Sequence, residues 1–125
     1  MKKTLILWRH AQAEIGNDDF NRPIDDRGKK ESKTMSEFLL SNASPDLILS
    51  SPARRVQETL KSFSDLFSLK KSNIDENLYL AEPEKIVQSI IENADNEDTI
   101  LIVGHNPGIH ELSLSLTNNN PDLMV

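Results

Sequence analysis

The stretch Thr4-Leu5-Ile6-Leu7-Trp8-Arg9-His10 constrains this chain more than any other. An apolar run without period-2 alternation reads as a strand covered on both faces of a sheet. This one, predicted over about Lys3 to Trp8, stops at an arginine and a histidine. A buried strand that ends in Arg9-His10 delivers a cation and an imidazole together at one end of a sheet. The fold must therefore cover that sheet on both sides. At 125 residues the chain is long enough to do so as one domain with a single core.

The rest of the sequence repeats the strand-then-helix pattern. Residues 11–26 are polar and hold Gly16, Asn17, Asp18, Asp19, Asn21 and Pro23, a long connection of the kind that is often functional. A helix is expected from about Asp26 to Ser41, with Ser32, Met35, Phe38 and Leu39 as its inward stripe. Asp46–Ser50 reads as a second buried strand. Ser51 is expected to cap the next helix, with Pro52 in its first position. That helix runs to about Phe67, with Val56, Leu60, Phe63 and Phe67 on one face. A weaker strand is expected near Ile74–Leu80. Pro83 starts a helix with Ile86, Val87, Ile90 and Ile91 inward. Thr99–Val103 is the most strand-like run. Asn106 then caps, and Pro107 starts, a last helix carrying Ile109, Leu112 and Leu116. The alternation predicts a three-layer α/β/α domain over residues 1–125 with a mostly parallel central sheet.

In such sheets ligands bind beyond the carboxyl ends of the strands. Three predicted strands end in unusual chemistry there: Arg9-His10, then Ser50-Ser51-Pro52-Ala53-Arg54-Arg55, then Gly104-His105-Asn106. Two of these junctions also open helices, whose free N–H groups favour an anion. Arginines and histidines converging on helix N-termini would hold a doubly charged oxyanion, most simply phosphate. The net charge of −6 argues against nucleic acid or an anionic membrane as partner, so the positive site must be local. The chain has no cysteine, hence no disulfide, thiolate metal site or cysteine nucleophile. His105 and His110 stand five apart, on different sides of a helix, and no carboxylate stands at zincin spacing, so no metal or other cofactor is expected. The apolar run after Met1-Lys2-Lys3 is too short for a signal core or membrane span, and the cytoplasm is the expected location.

The ordered set of motifs resembles a known family. Leu7-Trp8-Arg9-His10-Ala11-Gln12-Ala13-Glu14 resembles the Arg-His signature of the histidine phosphatase (phosphoglycerate mutase-like) superfamily. Arg-His-Ala-x-Ala, with alanine for the mutase glycine, is similar to the branch of small SixA-type phosphohistidine phosphatases. Arg22-Pro23-Ile24 with Gly28, Ser50-Ser51-Pro52-Ala53-Arg54-Arg55-Val56-Gln57-Glu58-Thr59 and Val103-Gly104-His105-Asn106-Pro107-Gly108 resemble that branch's further segments, in the same order. The resemblance implies that His10 is the nucleophile and that Arg9, Arg55 and His105 hold the phosphoryl oxygens. Arg55 is preferred over Arg54 because of its spacing from Ser51 and Thr59. The two point about 100° apart on a helix, so only one faces the site. Arg22 would be an added ligand or a loop anchor. No metal is implied, because the arginines supply the charge.

Two departures from the family bear on function. The family's general acid follows the third strand, where Glu82 is nearest and Glu76 is a second candidate. A phosphoramidate leaving group can be protonated without a strong enzyme acid, which favours phosphohistidine in a protein as substrate. Alternatives are a small-molecule or sugar phosphomonoesterase of the same superfamily and an inactive phosphate-binding module. The branch also continues past the last helix, so the sheet is expected to lack a C-terminal strand or two. Pro121–Val125 would stand where the first of these begins, leaving an exposed sheet edge.

Overall fold

A computed structural model describes residues 3–67 and 71–118. Four strands form one parallel sheet: β1 (Thr4–Arg9), β2 (Leu47–Ser50), β3 (Ser72–Ile74) and β4 (Thr99–Gly104), in the spatial order β1-β4-β2-β3. Between and after them come α1 (Asp26–Asn42), α2 (Arg54–Leu66), α3 (Pro83–Asn93) and α4 (Gly108–Asn118). Parallel strands require crossovers, and the helices provide them and cover both faces. Ile48, Leu101 and Val103 pack with Leu39 of α1 and Val56, Leu60 and Phe63 of α2. Leu47, Leu49, Ile100 and Ile102 point to the other face, onto Ile86 and Ile90 of α3 and Ile109 and Leu112 of α4. The molecule is thus the expected α/β/α sandwich, with an apolar layer on each side of the sheet. Among the described residues every strand pairing is parallel.

Several expectations need correction. The third strand is shorter and earlier than Ile74–Leu80: after Ile74 the chain turns into a 3₁₀ turn over Glu76–Leu78, pinned where the Asp75 side chain accepts from Asn77 N. Met35 and Phe38 lie outside the core, with Phe38 58% exposed. The inner face of α1 is Gly28, Ser32, Ser36 and Leu39. Small residues there let α1 and α2 approach closely, and Ser32 Oγ donates to the Thr59 carbonyl at 2.6 Å. Val87, Ile91 and Leu116 also face outward, and Phe67 is half-buried. Ser51 is not the helix cap: α2 begins at Arg54 after Ala53. The Pro121–Val125 strand lies outside the described residues.

The register of the sheet positions the site. Arg9 pairs with Gly104 and Ser50 with Val103, so the carboxyl ends of β1, β4 and β2 end level. His10 N extends the ladder by donating to Gly104 O at 3.0 Å, and Ser51 N donates to Val103 O at 3.2 Å. His10, His105 and Ser51 therefore leave the sheet side by side.

Candidate active site

His10 leaves the sheet at the end of its edge strand β1, beside the end of β4. Its Nδ1 is 2.7 Å from the Ala11 carbonyl, an acceptor with no proton of its own. Nδ1 must carry the hydrogen, so Nε2 carries the lone pair. Arg55 Nε donates toward that Nε2 at 3.3 Å. Burial lowers the His10 pKa below 6.5, partly offset by the Ala11 bond, and Arg55 and Arg9 lower it further by repulsion. The ring is thus neutral at neutral pH. The loop behind it is fixed by Thr59, whose Oγ1 accepts from Ala11 N at 2.8 Å and donates to Arg55 O at 2.6 Å.

His105 lies across from His10, with ring centroids 5.4 Å apart. Its Nε2 is 2.8 Å from Ser51 Oγ, and its Nδ1 is 3.3 Å from Arg55 Nη2. A guanidinium nitrogen can only donate, so His105 Nδ1 is the acceptor and Nε2–H points to Ser51. Burial, then the Arg55 charge, push the His105 pKa down to about 4. The Ser51 hydroxyl read from sequence as a helix cap instead orients this histidine.

Arg55 is only 2% exposed and sits between the two imidazoles. Arg54, one residue earlier, points away and pairs with Glu58 at 3.0 Å. The helical offset thus separates the two arginines as the spacing implied. Arg9 is exposed and lines an open cavity of about 590 Å³ together with His10, Gln12 and Arg27. No ion pair of Arg9 occurs among the described residues.

Arg22 lies at the edge of the cluster, bonded to Glu14 O and to Asp19 Oδ1 at 3.1 and 3.0 Å. Glu82 is exposed at the start of α3 and makes no capping bond, and Glu76 is exposed in the 3₁₀ turn. Neither carboxylate is joined by a hydrogen bond to the histidines or Arg55.

Two residues of the site were not singled out from sequence. Asp19, in the loop after β1, accepts from Arg55 Nη2 at 3.1 Å and from Arg22. Tyr79 donates its hydroxyl to Asp19 Oδ2, and its ring meets the edge of His105 at 5.5 Å. The Tyr79 bond, then Arg55 and Arg22, hold the Asp19 pKa down at about 2 despite partial burial. The signal for Asp19 was its place three residues before Arg22 in a long polar loop.

The sequence model of the histidine phosphatase superfamily (branch 1) matches residues 5–79. The chain belongs to that superfamily. It is 31% identical over 113 residues to an uncharacterized protein of Mycobacterium tuberculosis, covering 88% of this chain and 70% of that one. A candidate phosphohistidine phosphatase SixA from Nakamurella multipartitia superposes with a TM-score of 0.81 at 25% identity, over 97% of this chain and 73% of that one. Another from Agrobacterium tumefaciens gives 0.80 at 25% identity, over 98% and 86%. These likenesses place the chain in the SixA-type branch. An α-ribazole-5′-P phosphatase candidate of Escherichia coli shares the fold at a TM-score of 0.73 and 18% identity, over 93% and 80%. The superfamily is one of phosphatases, and the solved structures similar to this chain are named as phosphatases of phosphohistidine or of a small phosphorylated compound. No helix among the described residues is long and apolar enough to cross a membrane.

Proposed function

We propose that this chain is a metal-independent phosphatase that acts on phosphohistidine in proteins through a phosphoryl intermediate on His10. The observation that carries this reading is the tautomer of His10. Its Nδ1–H is committed to Ala11 O, so the Nε2 lone pair faces Arg55 and lies across from His105. A neutral, oriented imidazole beside a buried guanidinium is a nucleophile with a receptor for phosphoryl oxygens.

In the first step His10 Nε2 attacks phosphorus, and the bond from phosphorus to the leaving nitrogen breaks. In the second, water attacks the phosphoryl-His10 and restores the imidazole. Arg55, Arg9 and His105 take the charge on the equatorial oxygens, which is the main task in phosphoryl transfer. Arg22 serves as loop anchor through Glu14 and Asp19. Asp19 is the carboxylate that meets these groups, and at a pKa of about 2 it is ionised and cannot donate a proton at neutral pH. A leaving nitrogen that takes its proton from water fits such a site better than an alkoxide does. Comparing kcat/KM on a phosphohistidine peptide and on a panel of phosphomonoesters tests this. Higher efficiency on the monoesters would refute the preference.

A small-molecule phosphomonoesterase is the second reading. Ala81, beside Glu82, packs its carbonyl against Gly108, the first residue of α4 and three residues past His105. That contact ties the Glu82 segment to the same end of the sheet, where Glu82 would serve as general acid. A large loss of monoester hydrolysis in Glu82→Gln, with phosphohistidine hydrolysis retained, would favour this reading.

A further inference from the structure

The loop between β1 and α1 folds back over the site, and Asp19 is where it meets Arg55. A guanidinium has two forked edges. The side fork is Nε with Nη2, and the end fork is Nη1 with Nη2. In Arg55 the side fork faces the histidines: Nε toward His10 Nε2 and Nη2 toward His105 Nδ1, each at 3.3 Å. The end fork is taken wholly by one residue. Nη1 donates to the Asp19 carbonyl at 2.6 Å, and Nη2 donates to Asp19 Oδ2 at 3.1 Å.

Asp19 is itself braced. The Tyr79 hydroxyl holds Oδ2, Arg22 Nη2 holds Oδ1, and Arg22 Nη1 returns to Glu14 O in the same loop. Tyr79 also packs against Phe20, with centroids 5.3 Å apart. The 3₁₀ turn over Asp19–Asn21 thus presents a main-chain and a side-chain acceptor with a fixed spacing.

We propose that Asp19 is the positioning residue of Arg55. By closing the end fork it fixes the side fork between His10 and His105, where a phosphoryl group on His10 Nε2 places its oxygens. The inference rests on the reading of His10 as nucleophile. A carboxylate imitating the substrate would take the side fork, because that edge faces the nucleophile; Asp19 takes the opposite one. Asp19 touches no reacting atom and acts through Arg55. Preorganisation of this kind lets a donor meet developing charge without reorganising.

The test is a double-mutant cycle on Asp19→Ala and Arg55→Lys, with Asp19→Asn as the milder variant, assayed on p-nitrophenyl phosphate. Asp19→Ala is expected to lower kcat by about 10- to 100-fold with little change in KM, the scale of a misplaced catalytic group. Asp19→Asn, which keeps an oxygen acceptor, should fall between it and the unaltered chain. Arg55→Lys should then cost far less in the Asp19→Ala background than alone, because both remove the same alignment. A role confined to anchoring the loop would give two losses that multiply independently. A second readout needs no turnover: the Arg55 Nε–H signal in a ¹⁵N NMR spectrum should be protected in the unaltered chain and averaged or lost in Asp19→Ala. Failure of the unaltered chain to turn over any phosphorylated substrate would overturn the phosphatase reading, with the NMR signal still deciding the positioning role. Unchanged or raised kcat, fully multiplicative losses, or an unchanged Arg55 signal would each overturn the positioning role.

Discussion

His105 should make this protein lose stability in mild acid. The side chain is 3% exposed, and its pKa is pushed from 6.5 down to about 4, by burial first and then by the Arg55 charge. In the unfolded chain the imidazole titrates at its ordinary value. Between pH 6.5 and 4 the unfolded state therefore binds a proton that the native state refuses, and stability falls as pH falls. Above pH 6.5 both states are neutral and the group contributes no pH dependence. A gap of about 2.5 pK units corresponds to roughly 3 kcal/mol lost by pH 4. That is a large part of the stability of an ordinary small domain, on the order of 5–15 kcal/mol. Carboxylates such as Asp19 add losses of the same sign lower down, so the informative quantity is a difference. Urea denaturation of the unaltered protein and His105→Asn, at intervals from pH 7 to pH 4, isolates it. The stability advantage of the unaltered protein should shrink by about 3 kcal/mol over that span. Parallel curves would show that His105 is not held neutral, and the electrostatic account of the site would fail.

Three further outcomes follow from the same geometry. Because burial and the arginines lower the His10 pKa, kcat/KM should stay level down to pH 6.5 and fall only below it; a midpoint above 6.5 would contradict a neutral, repelled imidazole. Thr59→Val removes the acceptor for the buried Ala11 N–H and should cost about 1–3 kcal/mol by urea denaturation, with a parallel drop in kcat; an unchanged midpoint would contradict the role given to Thr59. Gly28→Ala would drive a Cβ into the Gln12 carbonyl, two residues past His10, and should cost on the order of 1–3 kcal/mol with a clear loss of activity; full activity would mean that the His10 loop is not held against α1.

Most of this architecture was legible because it is written in local patterns. Continuous apolar runs marked β1, β2 and β4, and polar residues at or just after the ends of those runs stand together in the candidate site. The strand ends meet because a parallel register levels them, and the sequence pattern carried the parallel topology. Three features were not legible, each for a physical reason. The packing face of α1 is Gly28, Ser32, Ser36 and Leu39; the expected stripe held Ser32 and Leu39, but reading by hydrophobicity put Met35 and Phe38 in it and left out Gly28 and Ser36. Ser51 has the composition of a cap, yet its hydroxyl is bonded to a histidine 54 residues away, a pairing that no local rule contains. Asp19 lies in a polar loop without periodicity, and its importance comes from Arg55 and Tyr79, which the fold brings from 36 and 60 residues away. Helical geometry implied that only one of Arg54 and Arg55 could face the candidate site, and the spacing from Ser51 and Thr59 implied which; the fold buries Arg55 and turns Arg54 out to Glu58.

The measurement that bears most directly on this account is the trapping of the intermediate. The protein would be mixed with a phosphohistidine peptide or an aryl phosphate, quenched within a turnover under basic conditions, digested and read by mass spectrometry. The expected result is a phosphoryl group on His10, and its absence, together with the loss of all turnover, in His10→Ala. Turnover that continues in His10→Ala, or a phosphoryl group found on His105 with His10 unmodified, would contradict it.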